Sequence, residues 1–194
     1  MINEPTEIFS ERKKPGEILP DPRVFLKYQA ESELKELIQQ RQASGGTVPV
    51  DSFVSPLSER FPITQKFGNY NPKLYAGRTA GSKHLGVDVA TPSGTPVRAP
   101  VSGKVEVQYD PRGFGTYVRV TDKDGLTYQF SHLSGVGVRS GAEVQAGQTI
   151  GTTGGVPGTA GAGHTTGAHL DISLLKGGQY IDPFTIEALR RALS

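Results

Sequence analysis

Apolar and polar residues alternate over residues 169–174, which predicts a β-strand whose two faces have different surroundings. The face expected to pack against a core carries Leu170, Ile172 and Leu174. The opposite face carries His169, Asp171 and Ser173. An imidazole and a carboxylate on one strand face can bind a metal or move a proton, although such a pair is more often a solvated strand edge.

A second alternating segment, residues 84–90, repeats this arrangement. Its inward face is expected to carry Leu85, Val87 and Val89. His84 and Asp88 share the other face, where four residues of extended strand separate them by roughly 13 Å along the strand axis. They can reach one ion only if the strand bends, most easily at Gly86, or begins just after His84.

Short strands separated by turns are predicted for most of the chain beyond about residue 53. The strands are expected at 103–109, 117–121, 126–132 and within 138–150. Residues 151–167 are rich in Gly and Thr and suit a loop in which backbone segments approach closely. Asp182-Pro183 starts a short C-terminal helix whose apolar side carries Ile186, Leu189 and Leu193.

The first 50 residues differ in character from the remainder. A proline-interrupted, irregular arm precedes apolar residues at near-helical spacing, which predict a helix over about residues 22–42. Ala43-Ser44-Gly45-Gly46 has the composition of a flexible linker. We therefore divide the chain into an N-terminal extension, residues 1–50, and a domain, residues 51–194.

Composition favours a mainly β domain and narrows the partners. The 194 residues include 25 Gly and 14 Pro with 35% hydrophobic residues, which suits a turn-rich β protein better than a helical bundle. A net charge of +2 is too small to indicate a nucleic-acid partner. No apolar run is long enough to span a membrane. No signal-peptide pattern follows Met1, so we expect a protein that is cytoplasmic on synthesis.

Candidate chemistry is concentrated in one part of the sequence. All four histidines lie between residues 84 and 169, and the chain has no cysteine. With Asp88 and Asp171, these histidines supply the nitrogen and oxygen ligands that bind zinc in proteins. A catalytic zinc needs three protein ligands, an open position and neighbouring groups that take and return protons.

Six segments in order resemble the lysostaphin-type, or LytM-like, zinc endopeptidases that cut peptidoglycan. They are Ile63–Gly68, His84–Asp88, Gly94–Val97, Phe130–Leu133, Gly147–Gly151 and Thr166–Leu170. The resemblance covers about residues 55–185. It implies an antiparallel β-sheet sandwich or open barrel, to which this chain adds an N-terminal helical extension and a short C-terminal helix.

The resemblance also implies roles for five residues. His84 and Asp88 match the first two zinc ligands. His132 and His169 match two histidines that do not bind the metal but help to activate water and stabilise the oxyanion. Asp171 stands where the family has a histidine as third ligand, so the set neutralises Zn²⁺ and should acidify a bound water less.

Two further positions bear on this site. His164, in the glycine-rich loop, is an alternative third ligand, although a lone loop histidine is more often exposed to solvent. The loop around Asn69, Tyr70 and Asn71 resembles the wall of the family's substrate cleft.

Two functional hypotheses follow. The first is a zinc endopeptidase acting on peptidoglycan peptides, either a phage tail or virion component or a bacterial lytic protein released to the cell wall. The second is a degenerate member of the same fold that binds the cell wall or serves as a structural tail module. In either case the N-terminal helix could contact other virion proteins. A biotinyl or lipoyl carrier domain is disfavoured because no lysine lies at a suitable hairpin tip.

Overall fold

The computed structural model describes residues 53–69 and 83–194, together with five positions of the N-terminal segment. These five residues are all helical: Gln29, Ser32, Glu33, Glu36 and Gln39. They fall inside the helix predicted over residues 22–42, while the linker and Tyr70 to Ser82 lie outside the described residues. The boundary between extension and domain stays a prediction. Within the described part of the chain, no helix has the length and apolar character needed to cross a membrane.

The domain is built from eleven short strands followed by a 3-10 turn and a short α-helix. The strands are β1 (Ile63–Gln65), β2 (Gly86–Val89), β3 (Pro96–Arg98), β4 (Gly103–Asp110), β5 (Gly115–Thr121), β6 (Leu126–Ser131), β7 (Leu133–Val136), β8 (Glu143–Val144), β9 (Thr149–Thr153), β10 (Leu170–Lys176) and β11 (Gln179–Ile181). A 3-10 turn, Pro183–Thr185, precedes helix α1, Glu187–Leu193. The predicted mainly β class is confirmed.

All described strand pairs are antiparallel and form two sheets. The larger sheet has the order β1-β2-β10-β6-β5-β4-β8, with β11 also pairing with β10, and the smaller has the order β3-β9-β7. The outer strands β1 and β8 of the larger sheet do not pair with each other among the described residues. The sheet is therefore open, and the closed form of a barrel is not reached.

Strand β10 lies inside the larger sheet, between β2 and β6, and sets the position of the candidate site. In the register of the sheet, Asp171 lies opposite Asp88 of β2 on one side and Ser131 of β6 on the other. Directly opposed residues of neighbouring antiparallel strands point to the same face. The sheet therefore holds the two carboxylates side by side.

The apolar face of the sheet forms the core. Leu170, Ile172 and Leu174 are fully buried, as the alternation predicts, and Val87 and Val89 pack in the same cluster. Burial of each such side chain contributes about 1.5–3 kcal/mol. The polar face of β10 is also buried, since Asp171 and Ser173 are 3% and 0% exposed.

The inward prediction for Leu85 is wrong. Leu85 is 39% exposed and lies along a cleft, because β2 begins at Gly86 and strand alternation does not extend back to residue 85.

The C-terminal helix is confirmed and begins with a turn. Asp182 Oδ1 accepts the backbone N–H of Phe184 at 2.9 Å, which caps the 3-10 turn. Helix α1 follows, and Leu189 and Leu193 are buried in the core cluster. Through these two leucines the helix packs against the β domain.

Candidate metal centre

Three buried side chains converge beside the start of β2 and of β10. His84 Nε2 lies 3.1 Å from Asp88 Oδ1 and 3.9 Å from Asp171 Oδ1. One possible ligand atom from each residue lies within 4.8 Å of the other two. The structure thus brings together the three residues that the sequence nominates as metal ligands.

The backbone before β2 turns His84 toward Asp88. The His84 N–H donates to the Asn69 carbonyl at 2.9 Å, and the Gly68 N–H donates to the His84 carbonyl at 2.9 Å. Strand β2 begins two residues later, so the expectation that the strand starts just after His84 is confirmed. Tyr70 and Asn71, expected on the cleft wall, lie outside the described residues.

Two further histidines lie beside this cluster. The ring centroids of His132 and His169 are 4.6 Å apart, with the planes tilted by 49°. His169 Nε2 lies 3.6 Å from Asp88 Oδ1. All five residues predicted for the site therefore border one cleft.

The glycine-rich loop fixes which nitrogen of each histidine faces the cleft. His132 Nδ1 lies 2.7 Å from the Ala162 carbonyl, and His169 Nδ1 lies 2.8 Å from the Gly167 carbonyl. A carbonyl oxygen only accepts hydrogen bonds, so each Nδ1 carries the proton in the neutral ring. Nε2 is then the unprotonated nitrogen. The loop therefore presents two proton acceptors to the site.

His132 has a strained backbone. Its φ is +62°, a left-handed conformation that residues other than glycine seldom adopt. Its N–H donates to the Phe114 carbonyl at 2.9 Å, which holds this conformation in place. Such strain costs on the order of 1–3 kcal/mol and is concentrated at functional sites. It also ends β6 at Ser131, one residue before the predicted end of this strand.

Burial and charge shift the pKa values of the site in a consistent way. Burial, with the neighbouring His169, lowers the pKa of His132 to about 4. Burial also raises the pKa of Asp171, and the adjacent Asp88 carboxylate raises it further. Burial alone would lower the pKa of His84, but the Asp88 hydrogen bond and the two carboxylate charges outweigh it and raise this pKa. Two buried, adjacent carboxylates repel each other when both are ionised, so a cation bound between them would be stabilising.

The cleft at the site has a volume of about 610 Å³. Gln65 and Phe114, for which the sequence predicts no individual role, also line it. Gln65 lies opposite Asp88 on β1, and its buried Nε2 has no hydrogen-bond partner among the described residues. His164 also lines the cleft, but it is exposed and outside the three-residue cluster. The alternative assignment of His164 as a ligand therefore has no support in the geometry.

The donor set fits a zinc ion. Zinc bonds of about 2.0–2.2 Å place tetrahedral ligands roughly 3.4 Å from one another. The His84 Nε2 separations of 3.1 Å and 3.9 Å bracket that value. One imidazole and two carboxylates also balance the charge of a divalent cation.

A buried nitrogen–oxygen ligand set beside two histidines, in the cleft of an antiparallel sheet, is the arrangement of a metallopeptidase-like domain. The profile of Peptidase family M23 matches residues 82–183, more than half of the chain. The chain belongs to this family. The resemblance to lysostaphin-type enzymes is thereby confirmed.

One relative of similar sequence is a bacterial endopeptidase. The chain is 35% identical over 120 residues to peptidoglycan DD-endopeptidase ShyC of Vibrio cholerae, covering 61% of this chain and 26% of that protein. The chain thus spans about a quarter of the length of that relative.

Two solved structures share the fold. The catalytic domain of the prophage-encoded M23 protein EnpA from Enterococcus faecalis, solved as a point mutant, aligns with a TM-score of 0.54 at 32% identity, covering 69% of this chain and 94% of that one. A zinc containing peptidase from Vibrio cholerae aligns with a TM-score of 0.58 at 29% identity, covering 74% and 41%.

Proposed function

We propose that this protein is a zinc endopeptidase that hydrolyses peptide bonds in bacterial peptidoglycan. The observation that carries the proposal is the convergence of His84 Nε2 with the carboxylates of Asp88 and Asp171 beside two oriented histidines. Similar proteins bear the names of peptidoglycan DD-endopeptidases and a glycyl-glycine endopeptidase, which supports this substrate class.

His84, Asp88 and Asp171 would hold the metal. When bound, zinc supplies Lewis acidity at the scissile carbonyl and at the attacking water. The two carboxylates balance its charge, so this chain relies more on its own bases to remove the proton of water than a site with one carboxylate would. His132 and His169 are therefore the residues that would carry out the proton transfers.

The two histidines would act as proton carriers. The unprotonated Nε2 of His169, 3.6 Å from Asp88 Oδ1, is placed to accept a proton from water as its oxygen forms a bond to the carbonyl carbon. The protonated ring can then donate to the leaving amine when the carbon–nitrogen bond breaks. His132, 4.6 Å from His169 between ring centroids, would receive this proton at Nε2 and only then donate a hydrogen bond to the oxyanion.

A specific observation favours the second candidate, a cell-wall-binding or structural module without activity. Asp171 occupies the position of the third ligand, where the resemblance predicts histidine. A less electrophilic metal, or none, would leave the cleft able to bind wall peptides without cutting them.

We also place the protein in a phage tail or virion, or at the bacterial wall after release. One structural neighbour is prophage-encoded, which supports this assignment. Proteolysis of purified virions followed by mass spectrometry would test this assignment. If the protein were absent from virions whose genome encodes it, the virion assignment would be contradicted.

The test of activity combines zinc content with lysis. We expect the purified chain to retain about one zinc per molecule after mild dialysis and to clear a suspension of bacterial cell walls. His132→Ala should abolish clearing without unfolding the protein, as a cooperative thermal transition would show. His164→Ala is the matched control, because this exposed histidine lines the same cleft outside the cluster.

Two outcomes would decide against the enzyme. Clearing that is unchanged by His132→Ala would contradict the proposed chemistry. A metal-free, inactive wild type whose Asp171→His variant gains both zinc and lysis would establish the structural module instead.

A further inference from the structure

Asp171 is held by a hydrogen bond from its own strand. Ser173 Oγ donates to Asp171 Oδ1 at 3.2 Å. Ser173 is fully buried and Asp171 is 3% exposed, so water does not compete for this bond. Asp171 Oδ1 is also the oxygen that lies 3.9 Å from His84 Nε2. A carboxylate oxygen has two lone pairs, so this one atom can accept from the hydroxyl and still face a metal, whereas an imidazole nitrogen has a single lone pair.

Gly86 provides the space in which this pair lies. It is opposite Ser173 in the β2–β10 register. A Cβ at residue 86 would overlap Asp171 Oδ1 and would lie 2.7 Å from both Ser173 Oγ and the Ile172 carbonyl. The absence of a side chain at residue 86 therefore permits the observed position of the Asp171 carboxylate.

A buried polar row continues from this pair across the same sheet face. Gln129 lies opposite Ser173 in the register, is fully buried, and donates from Nε2 to Ser131 Oγ at 3.1 Å. Its Oε1 accepts from Arg119 Nε at 2.9 Å. The same oxygen also accepts from the Tyr180 hydroxyl at 3.3 Å. Both lone pairs of Gln129 Oε1 are therefore used by these two donors, so this oxygen does not compete with Asp171 for the Ser173 hydroxyl.

We propose that Ser173 is a positioning residue for Asp171, and that its hydroxyl adapts the third ligand position of this chain to a carboxylate. This inference rests on the proposed function, because it concerns how tightly the site holds its metal. Asp171 is then a ligand of an altered site, and the Ser173 hydroxyl supports its orientation. Partners of this kind beyond the metal ligands change metal affinity by roughly 10–100-fold.

The test measures metal binding without reference to activity. Zinc dissociation constants would be obtained by chelator competition on the full chain, and Co²⁺ would be substituted to record its visible absorption. Ser173→Ala should weaken zinc binding roughly 10–100-fold and alter the Co²⁺ spectrum, because Asp171 loses its fixed orientation. Ser173→Thr, which keeps the hydroxyl, should restore most of the affinity.

The matched control is Ser140→Ala. The Ser140 hydroxyl accepts from the Val107 N–H at 2.7 Å and donates to the Val107 carbonyl at 3.2 Å, away from the cleft. Its removal should leave both zinc affinity and the Co²⁺ spectrum unchanged. Unfolding temperatures of the metal-free variants would show that each one folds.

The possible results distinguish a failure of the Ser173 role from a failure of the proposed function. Wild-type affinity and spectrum in Ser173→Ala would overturn the positioning role and leave the zinc endopeptidase in place. Equal weakening in Ser173→Ala and Ser140→Ala would also overturn it, since the effect would then be general. A wild type that binds no zinc would overturn both proposals.

Discussion

Single backbone carbonyls decide the chemistry of the two histidines that border the cleft. The Gly167 carbonyl lies 2.8 Å from His169 Nδ1, and Thr165 Oγ1 lies 3.2 Å from the same nitrogen. The Thr165 hydroxyl also lies 2.9 Å from both the Gly155 and Gly167 carbonyls. The Thr165 side chain thus links the His169 imidazole to two backbone carbonyls of the loop.

Thr165→Val should lower the rate of cell-wall lysis about tenfold, which corresponds to roughly 1.4 kcal/mol in the activation barrier. The variant keeps the shape of the side chain but releases the loop and the His169 ring from each other. Lysis rates and unfolding temperatures would be compared with those of Thr159→Val, whose hydroxyl bonds locally to the Val156 carbonyl at 2.7 Å. Equal rates for the two variants would contradict a role for Thr165 in orienting His169.

The lowered pKa of His132 predicts a pH dependence of stability. The folded ring has a pKa of about 4, against 6.5 when unfolded. Between these values the unfolded chain binds the extra proton, so the folded state loses stability as pH falls from 6.5 toward 4. Between about pH 7 and pH 5 this loss amounts to about 2 kcal/mol.

His132→Asn should remove that component. Urea denaturation of the metal-free proteins would give the free energy of unfolding at about pH 7 and pH 5. The decrease on acidification should be about 2 kcal/mol larger in the wild type than in the variant. Identical decreases in the two proteins would show that His132 is not kept neutral by the fold.

At the scale of elements, the loop between β9 and β10 is as important as the strands. It carries the carbonyls that orient both histidines, and its turns use glycines with positive φ. Gly161 has φ +80°, and a Cβ there would overlap the Leu133 carbonyl and lie 3.0 Å from Thr116 Oγ1. Gly158 has the same φ of +80° but has nothing within 4 Å of its Cβ position.

These two glycines form a matched pair of tests. Gly158→Ala should cost only the left-handed backbone strain, about 1–2 kcal/mol. Gly161→Ala should destabilise the fold further and lower lysis at least about tenfold, because the loop must shift and carry the adjacent Ala162 carbonyl away from His132. Thermal unfolding and lysis rates measure both effects. Gly161→Ala activity equal to that of Gly158→Ala would contradict close packing of this loop.

The same elements show how far the sequence predicts the structure. Alternation identified the apolar faces of β2 and β10 because a strand has a strict two-residue period. It failed at Leu85, since the period holds only inside the strand and β2 begins one residue later. The left-handed φ of His132 and the anchoring by Ala162 could not be predicted, because a backbone carbonyl carries no signature of residue type.

At the scale of the whole molecule, the fold brings residues from distant parts of the chain to one ion-sized space. His84 and Asp88 come from β2 and the turn before it, and Asp171 comes from β10, more than eighty positions later. The order of the motifs along the chain resembles that of the family, and this resemblance predicts that the three residues meet. The hydroxyl of Ser173 and the space at Gly86 appear only when β2 and β10 are aligned in register.

The metal-free fold carries an electrostatic cost that the metal would relieve. Burial and the neighbouring Asp88 raise the pKa of Asp171, which means that its ionised form disfavours folding at neutral pH. Asp171→Asn keeps the shape and an oxygen for the Ser173 hydroxyl while removing the charge. The metal-free variant should therefore unfold at a higher temperature than the metal-free wild type at neutral pH.

Zinc should reverse this order. At a zinc concentration about 100 times the dissociation constant, binding stabilises the wild type by about 2.7 kcal/mol, or roughly 5–10 °C in unfolding temperature for a chain of this size. Asp171→Asn, with a neutral amide in place of the carboxylate ligand, should show little of this shift. Thermal scans with zinc and with chelator would measure both effects. An equal zinc shift in the two proteins would show that Asp171 is not a ligand, and a lower metal-free unfolding temperature in the variant would show that its charge does not oppose folding.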